Sequence, residues 1–161
     1  MIQRIQTLYL FLIVALGITL CFQPVATFVT SEATDTFRAW ELYPIGLREL
    51  LETDLAPISL QGLWGLTFVT LLIPMLAIVD IFLFKKRVLQ ARLNIFLALL
   101  CLGWYGVLAI YIWLMKLTIP DVTWSPGFWA AIPLINFVLT LMATRAILKD
   151  EALVRAADRI R

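Results

Sequence analysis

Apolar residues fall into four long blocks, from about Ile5 to Phe28, Leu63 to Phe84, Leu93 to Met115 and Phe128 to Leu148, separated by short polar stretches. A segment alone in hydrocarbon satisfies its own backbone N–H and C=O groups only as a helix. Each block holds roughly 21 to 24 residues, which at about 1.5 Å per residue is enough to cross a hydrocarbon core of about 30 Å with modest tilt. The pattern therefore predicts an all-α membrane protein, a four-transmembrane-helix bundle spanning 5–28, 63–84, 93–115 and 128–148 as a single membrane domain. The blocks lack the period-two alternation that a transmembrane barrel requires. The first block is longer than the apolar region of a signal peptide, and no small-residue cleavage site follows Gln23-Pro24, so it is expected to be retained.

Composition agrees with this reading. Of 161 residues, 62% are hydrophobic and 15% charged, too apolar a balance for a soluble domain of this length. The distribution of Lys and Arg then orients the chain, because cationic flanks are retained on the cytoplasmic side. Arg4, the 85–92 connection (Lys85, Lys86, Arg87, Arg92) and the end of the chain (Arg145, Lys149, Arg155, Arg159, Arg161) fall on one side, while only Arg38, Arg48 and Lys116 fall on the other. Both termini are accordingly placed inside (N-in/C-in). The connections 29–62 and 116–127 are then periplasmic, the connection 85–92 cytoplasmic, and 149–161 a cytoplasmic tail.

The long outer connection carries Trp40, Tyr43 and Trp64, aromatics that favour the headgroup level. Leu47, Leu50, Leu51 and Leu55 share one helical face, which predicts a short amphipathic helix over Leu47–Leu55 lying on the outer surface. A strand pair over Thr36–Tyr43 is the alternative, and the fold of 32–61 stays open. The second outer connection, with Pro120-Asp121 and Pro126-Gly127 beside Trp124 and Trp129, reads as a turn-rich cap. From Arg145 onward no proline or glycine stops the fourth helix, and Glu151 stands four residues before Arg155 in the favourable order, so a cytoplasmic helical extension is expected. Its stripe of Leu153, Val154, Ala157 and Ile160 suits lipid headgroups, the inner loop or a partner.

Candidate chemistry is sparse. The chain has no histidine, which removes the commonest metal ligand and general acid/base. Cys21 and Cys101 sit at depths of roughly 24 Å and 12 Å along their helices, too far apart for a disulfide to be expected. No hydrolase elbow, phosphate loop or metalloprotease motif occurs. No cofactor or metal site is expected, nucleic-acid binding is not indicated, and the chain does not read as an enzyme.

Asp80 is the one ionisable residue well inside a block. A structural ion pair with Arg4 or Arg145, at the inner ends of neighbouring helices, is the expectation, with a proton or ion relay as the alternative. Pro74 and Pro133 are expected to kink helices two and four. Asn136, Thr140 and Thr144 recur on one face of helix four, where hydrogen bonds between helices are expected. Gly103 and Gly106 permit close helix approach. On the cytoplasmic side, Lys85, Lys86, Arg87, Arg92, Lys149, Asp150, Glu151, Arg155, Asp158 and Arg159 are the contact candidates.

The opening Met1-Ile2-Gln3-Arg4-Ile5-Gln6-Thr7 is distinctive, as is the run from Phe82-Leu83-Phe84-Lys85-Lys86-Arg87 through Leu89-Gln90-Ala91-Arg92-Leu93-Asn94. So is the ending from Arg145-Ala146-Ile147 through Lys149-Asp150-Glu151-Ala152-Leu153-Val154-Arg155 to Ala157-Asp158-Arg159-Ile160-Arg161. Together they resemble the bacterial family DUF4293. The resemblance implies a four-helix protein of the inner membrane of Gram-negative bacteria and no known activity. The functional expectation is an accessory, scaffold or assembly subunit of a membrane complex, surrounded by lipid and in contact with other subunits. A small transporter, channel or lipid-handling protein with Asp80 in its path is the alternative.

Overall fold

The computed structural model describes residues 3–31, 37–50, 63–83, 86–118 and 121–158. Four helices dominate it: α1 (Gln3–Cys21), α2 (Trp64–Phe82), α3 (Arg87–Thr118) and α4 (Ile132–Asp158), the last preceded by a 3₁₀ turn at Phe128–Ala131. α2, α3 and the run Phe128–Asp150 are long and apolar enough to cross a membrane, and the apolar part of α1, Ile5–Cys21, is shorter. The chain is thus mainly a helical membrane protein. α1 packs against α2 and α4, and α3 packs against the same two, so the helices close a ring in chain order. Large side chains such as Phe11, Phe68, Met75, Phe82, Leu99 and Trp113 are exposed around its outside, the arrangement expected where lipid is the solvent.

The first block does not continue as a helix to Phe28. The chain leaves α1 after Cys21, with Phe22 N–H and Gln23 N–H donating to Thr19 O and Leu20 O. Pro24 accounts for the stop, since it cannot donate and it biases Gln23 away from helical geometry. Ala26–Ser31 is instead strand β1, rich in β-branched residues. It lies between β2 (Phe37–Tyr43) and β4 (Thr123–Pro126), with β3 (Gly46–Leu50) beyond β2, in an antiparallel sheet of order β3-β2-β1-β4. The fold is therefore helical with a four-stranded cap, and the all-α expectation is corrected on this point.

The sheet is sided. Ala26, Phe28 and Thr30 of β1 and Trp40 and Leu42 of β2 are buried, with Phe28 opposite Trp40 and Ala26 opposite Leu42. Ala26, Phe28, Trp40 and Leu42 share one core with Leu20, Leu66, Trp104 and Ile132 of the helical region. Trp40 is thus a core residue and not a headgroup anchor. The alternate positions Thr27, Glu41 and Arg48 turn outward, and Thr27 Oγ1 and Ser125 Oγ hydrogen-bond across β1 and β4.

The predicted surface helix over Leu47–Leu55 is not formed at its start. Gly46–Leu50 pairs with β2 across a two-residue turn at Pro44-Ile45, and 51–62 lie outside the described residues. Leucines three and four apart satisfy a helix, but the edge of β2 offers a ladder of partners to the backbone groups of 46–50 that face it, and tertiary pairing overrides local preference. Leu47, opposite Leu42, still packs against the core. Because β1 follows α1 and β4 precedes α4, the connections after α1 and before α4 close the same end of the ring, opposite the described ends of α1 and α4 nearest the termini.

The connection between α2 and α3 is shorter than expected. α3 begins at Arg87, so most of 85–92 is helix, entered by a turn in which Lys86 N–H donates to Leu83 O. Pro133 stands second in α4, in the first turn, where its missing N–H costs no intrahelical bond; it marks a start and not a kink. Pro74 is interior to α2 and faces Gly17 of α1, whose added Cβ would lie 3.2 Å from the proline ring. Gly103 and Gly106 meet nothing within 4 Å of an added Cβ, so they admit no close approach by a neighbouring helix. Cys21 and Cys101 are both free and buried.

Candidate functional site

The polar residues inside the ring gather chiefly toward the end where α2 turns into α3. Asp80 lies in the last turn of α2 and is fully buried. α3 runs antiparallel to α2, and its first two turns bring Gln90 and Asn94, four residues apart and so on one face, against Asp80. Asn94 Nδ2 donates to Asp80 Oδ2 at 2.7 Å, and Gln90 Nε2 donates to the backbone carbonyl of Asp80 at 3.1 Å. Both amides are buried as well. Gln90 thereby adds a second donor to a carbonyl near the C-terminal end of α2 that also accepts from Leu83 N–H.

The carboxyl group is only half satisfied. Asp80 Oδ1 has no hydrogen-bond partner, and neither has Asn94 Oδ1. Among the described residues no cation pairs with Asp80. The Arg145 and Arg92 side chains are exposed, and that of Arg4 lies outside the described residues. The described partner of the Asp80 carboxyl group is therefore an amide of α3; Arg145 is exposed, and the expected pairing with Arg4 lies outside the described residues.

Other polar side chains complete the interior. Trp104 Nε1 donates to Thr70 Oγ1 at 2.8 Å, joining α3 to α2, and Thr70 in turn donates to Leu66 O. Asn136, Thr140 and Thr144 are all buried, but the threonine hydroxyls donate to carbonyls of their own helix, Asn136 O and Thr140 O. Both side-chain polar atoms of Asn136 lack a partner, as does Gln6 Nε2. The stripe thus does not supply the hydrogen bonds between helices that its spacing suggests, because a threonine hydroxyl reaches the carbonyl four residues back more readily.

Two tyrosines of α3 serve the starts of its neighbours. Tyr105 Oη donates to Ala130 O at 2.7 Å and accepts from Leu134 N–H, while Tyr111 Oη accepts from Gly65 N–H at 3.3 Å. Each helix start leaves N–H groups without intrahelical partners, and a phenol oxygen meets that need inside a membrane. Neither tyrosine stands out in the sequence. Asn94 and Gln90 were legible only as polar residues beside a basic run, because their value depends on facing Asp80.

Among the cytoplasmic contact candidates, Lys86, Arg92 and Lys149 are exposed and Asp150 is partly buried with an interaction of its own. The side chains of Lys85, Arg87, Glu151, Arg155, Asp158 and Arg159 lie outside the described residues. No curated protein matches this chain. The helical membrane architecture accords with the family resemblance carried by the inner-side segments, and the match extends over residues 2–160, so the chain belongs to the family described as domain of unknown function (DUF4293).

Proposed function

We propose that this protein is a four-span subunit of the bacterial inner membrane, with both ends in the cytoplasm, that supports or assembles a membrane complex without catalysing a reaction. The observation that carries the reading is α4. It continues as one helix through Asp158, well beyond its apolar segment, which ends by Asp150. Such an extension carries the helix on from exposed Lys149 past the inner end of the ring. A helix kept in register with a membrane span is a rigid arm suited to a protein partner or to anionic headgroups. The orientation rests on the excess of Lys and Arg on the inner side, and the pairing of β1 with β4 supports an even number of crossings.

Blue-native electrophoresis with mass spectrometry after mild detergent extraction tests this reading. A subunit migrates in a defined larger complex, and removing the chain beyond Asp150 releases it while the rest still inserts. Migration of the full chain as a free protein of its own size refutes the proposal. A second reading, a small transporter, is favoured by the unpartnered oxygens at Asp80 and Asn94. It requires solute flux in proteoliposomes that Asp80→Asn abolishes.

A further inference from the structure

Asp80 and Asn94 present complementary deficits. The amide nitrogen of Asn94 serves Asp80 Oδ2, yet the other oxygen of each group, Oδ1 in both, receives no donor. Both residues are fully buried. Within a ring of membrane helices there is no bulk water to supply the missing hydrogen bonds, and a carboxylate that is both buried and unneutralised is held at great cost.

The surroundings offer no protein remedy among the described residues. On α3, Arg92 is exposed and the Gln90 amide is engaged by the backbone carbonyl of Asp80. On α4, Arg145 and Lys149 are exposed, and the Thr144 hydroxyl donates to Thr140 O. On α1, Gln6 is buried but its unpaired atom is the donor Nε2, with no bond to Asp80, and the Arg4 side chain lies outside the described residues.

We propose that the Asp80–Asn94 pair is a binding site for a small monovalent cation, which bridges Asp80 Oδ1 and Asn94 Oδ1. A proton meets the geometry most economically. Carried on Asp80 Oδ1, it donates to Asn94 Oδ1 while Asn94 Nδ2 continues to donate to Asp80 Oδ2. Acid and amide then close a ring of two hydrogen bonds, both orphaned oxygens are satisfied, and the interior is neutral. An alkali ion supplies the same charge but coordinates more oxygens than these two. The site is independent of the subunit reading: either can fail while the other stands.

The test compares wild-type protein with Asp80→Asn and Asn94→Ala in nanodiscs at neutral pH, by infrared spectroscopy and thermal unfolding. A bound proton gives a carboxylic-acid carbonyl band that shifts in deuterium oxide and is absent from Asp80→Asn. In Asn94→Ala the band persists but moves to higher frequency, as a carbonyl does on losing a hydrogen bond. Asp80→Asn should keep the wild-type melting midpoint, since its amide can make the same two hydrogen bonds. In a second arm, N-methylglucamine replaces sodium and potassium. A midpoint that rises on adding either ion to wild-type protein but not to Asp80→Asn, without an acid band, assigns the site to an alkali ion. An ionised carboxylate with no response to sodium or potassium overturns the proposal.

Discussion

Gly127 and Val25 join the connections after α1 and before α4 backbone to backbone: Gly127 N–H donates to Val25 O at 2.9 Å, so close that an added Cβ on Gly127 would stand 2.7 Å from the carbonyl oxygen of Pro24. The neighbour is main chain and cannot swing aside. Gly127→Ala should therefore lower stability by about 1 to 3 kcal/mol, the usual range for overpacking a fitted site. Gly103→Ala, which meets open space, should not destabilise. Denaturant unfolding in micelles checks both, and equal effects would refute the packing argument.

The Trp104–Thr70 bond offers a measurable coupling. Hydrogen bonds between membrane helices average about 0.6 kcal/mol in double-mutant cycles. A cycle of Trp104→Phe and Thr70→Val should return an interaction of about that size or somewhat more, given the complete burial of the indole. Additive single effects would mean that the bond adds nothing to stability.

Tyr105 supports the first turn of α4 through one oxygen that both donates and accepts. Tyr105→Phe removes both bonds while keeping the ring, at a cost of about 1 to 3 kcal/mol where polar groups are left unpaired. Hydrogen exchange should quicken at Leu134 before the middle of α4 is affected. Exchange unchanged at Leu134 would contradict the capping role.

The outer face of the sheet supplies a pH prediction. Tyr43 Oη donates to Glu41 Oε2 at 2.9 Å, and the Arg48 guanidinium lies 4.9 Å from the centre of the Tyr43 ring. Burial first, then the hydrogen bond and negative charge of Glu41, push the phenol above its usual 10.0, against a smaller opposing pull from Arg48. The folded state thus favours the neutral phenol. Its contribution is fully present below about pH 10 and is lost as pH rises through the elevated folded value. Tyr43→Phe should flatten that alkaline loss in thermal melts, and an unchanged slope would exclude Tyr43 as its source.

Orientation is open to labelling. With an impermeant thiol reagent on intact spheroplasts, a cysteine introduced by Arg48→Cys should react and one introduced by Asp150→Cys should not. Arg48 lies on the sheet and Asp150 beyond the opposite end of the ring, and the native Cys21 and Cys101 are buried. The reverse pattern would invert the topology.

The sequence makes the helices legible because hydrocarbon imposes a single backbone solution on long apolar runs. It hides the sheet for a corresponding reason. Pro24 and the β-branched residues after it mark a local break, but the partner strand Thr123–Pro126 lies far along the chain, so the pairing itself is not legible locally. The same holds at Asp80. Its burial shows in the sequence as a lone acid in an apolar block, whereas its partnership with Asn94 is a matter of register between two helices. Charge alone points to Arg4 or Arg145, of which the fold leaves Arg145 exposed, while the Arg4 side chain lies outside the described residues.

The position of β1 between β2 and β4 has a consequence for biogenesis. During synthesis the β1–β2–β3 meander can pair as soon as its residues are made, but the other edge of β1 must wait until α2, α3 and the segment before α4 have followed. Until then that edge keeps a row of unsatisfied backbone groups, the kind of edge that recruits stray strands. Completion of the last two helices thus also closes the sheet, and a chain stalled after Thr118 would keep that edge open.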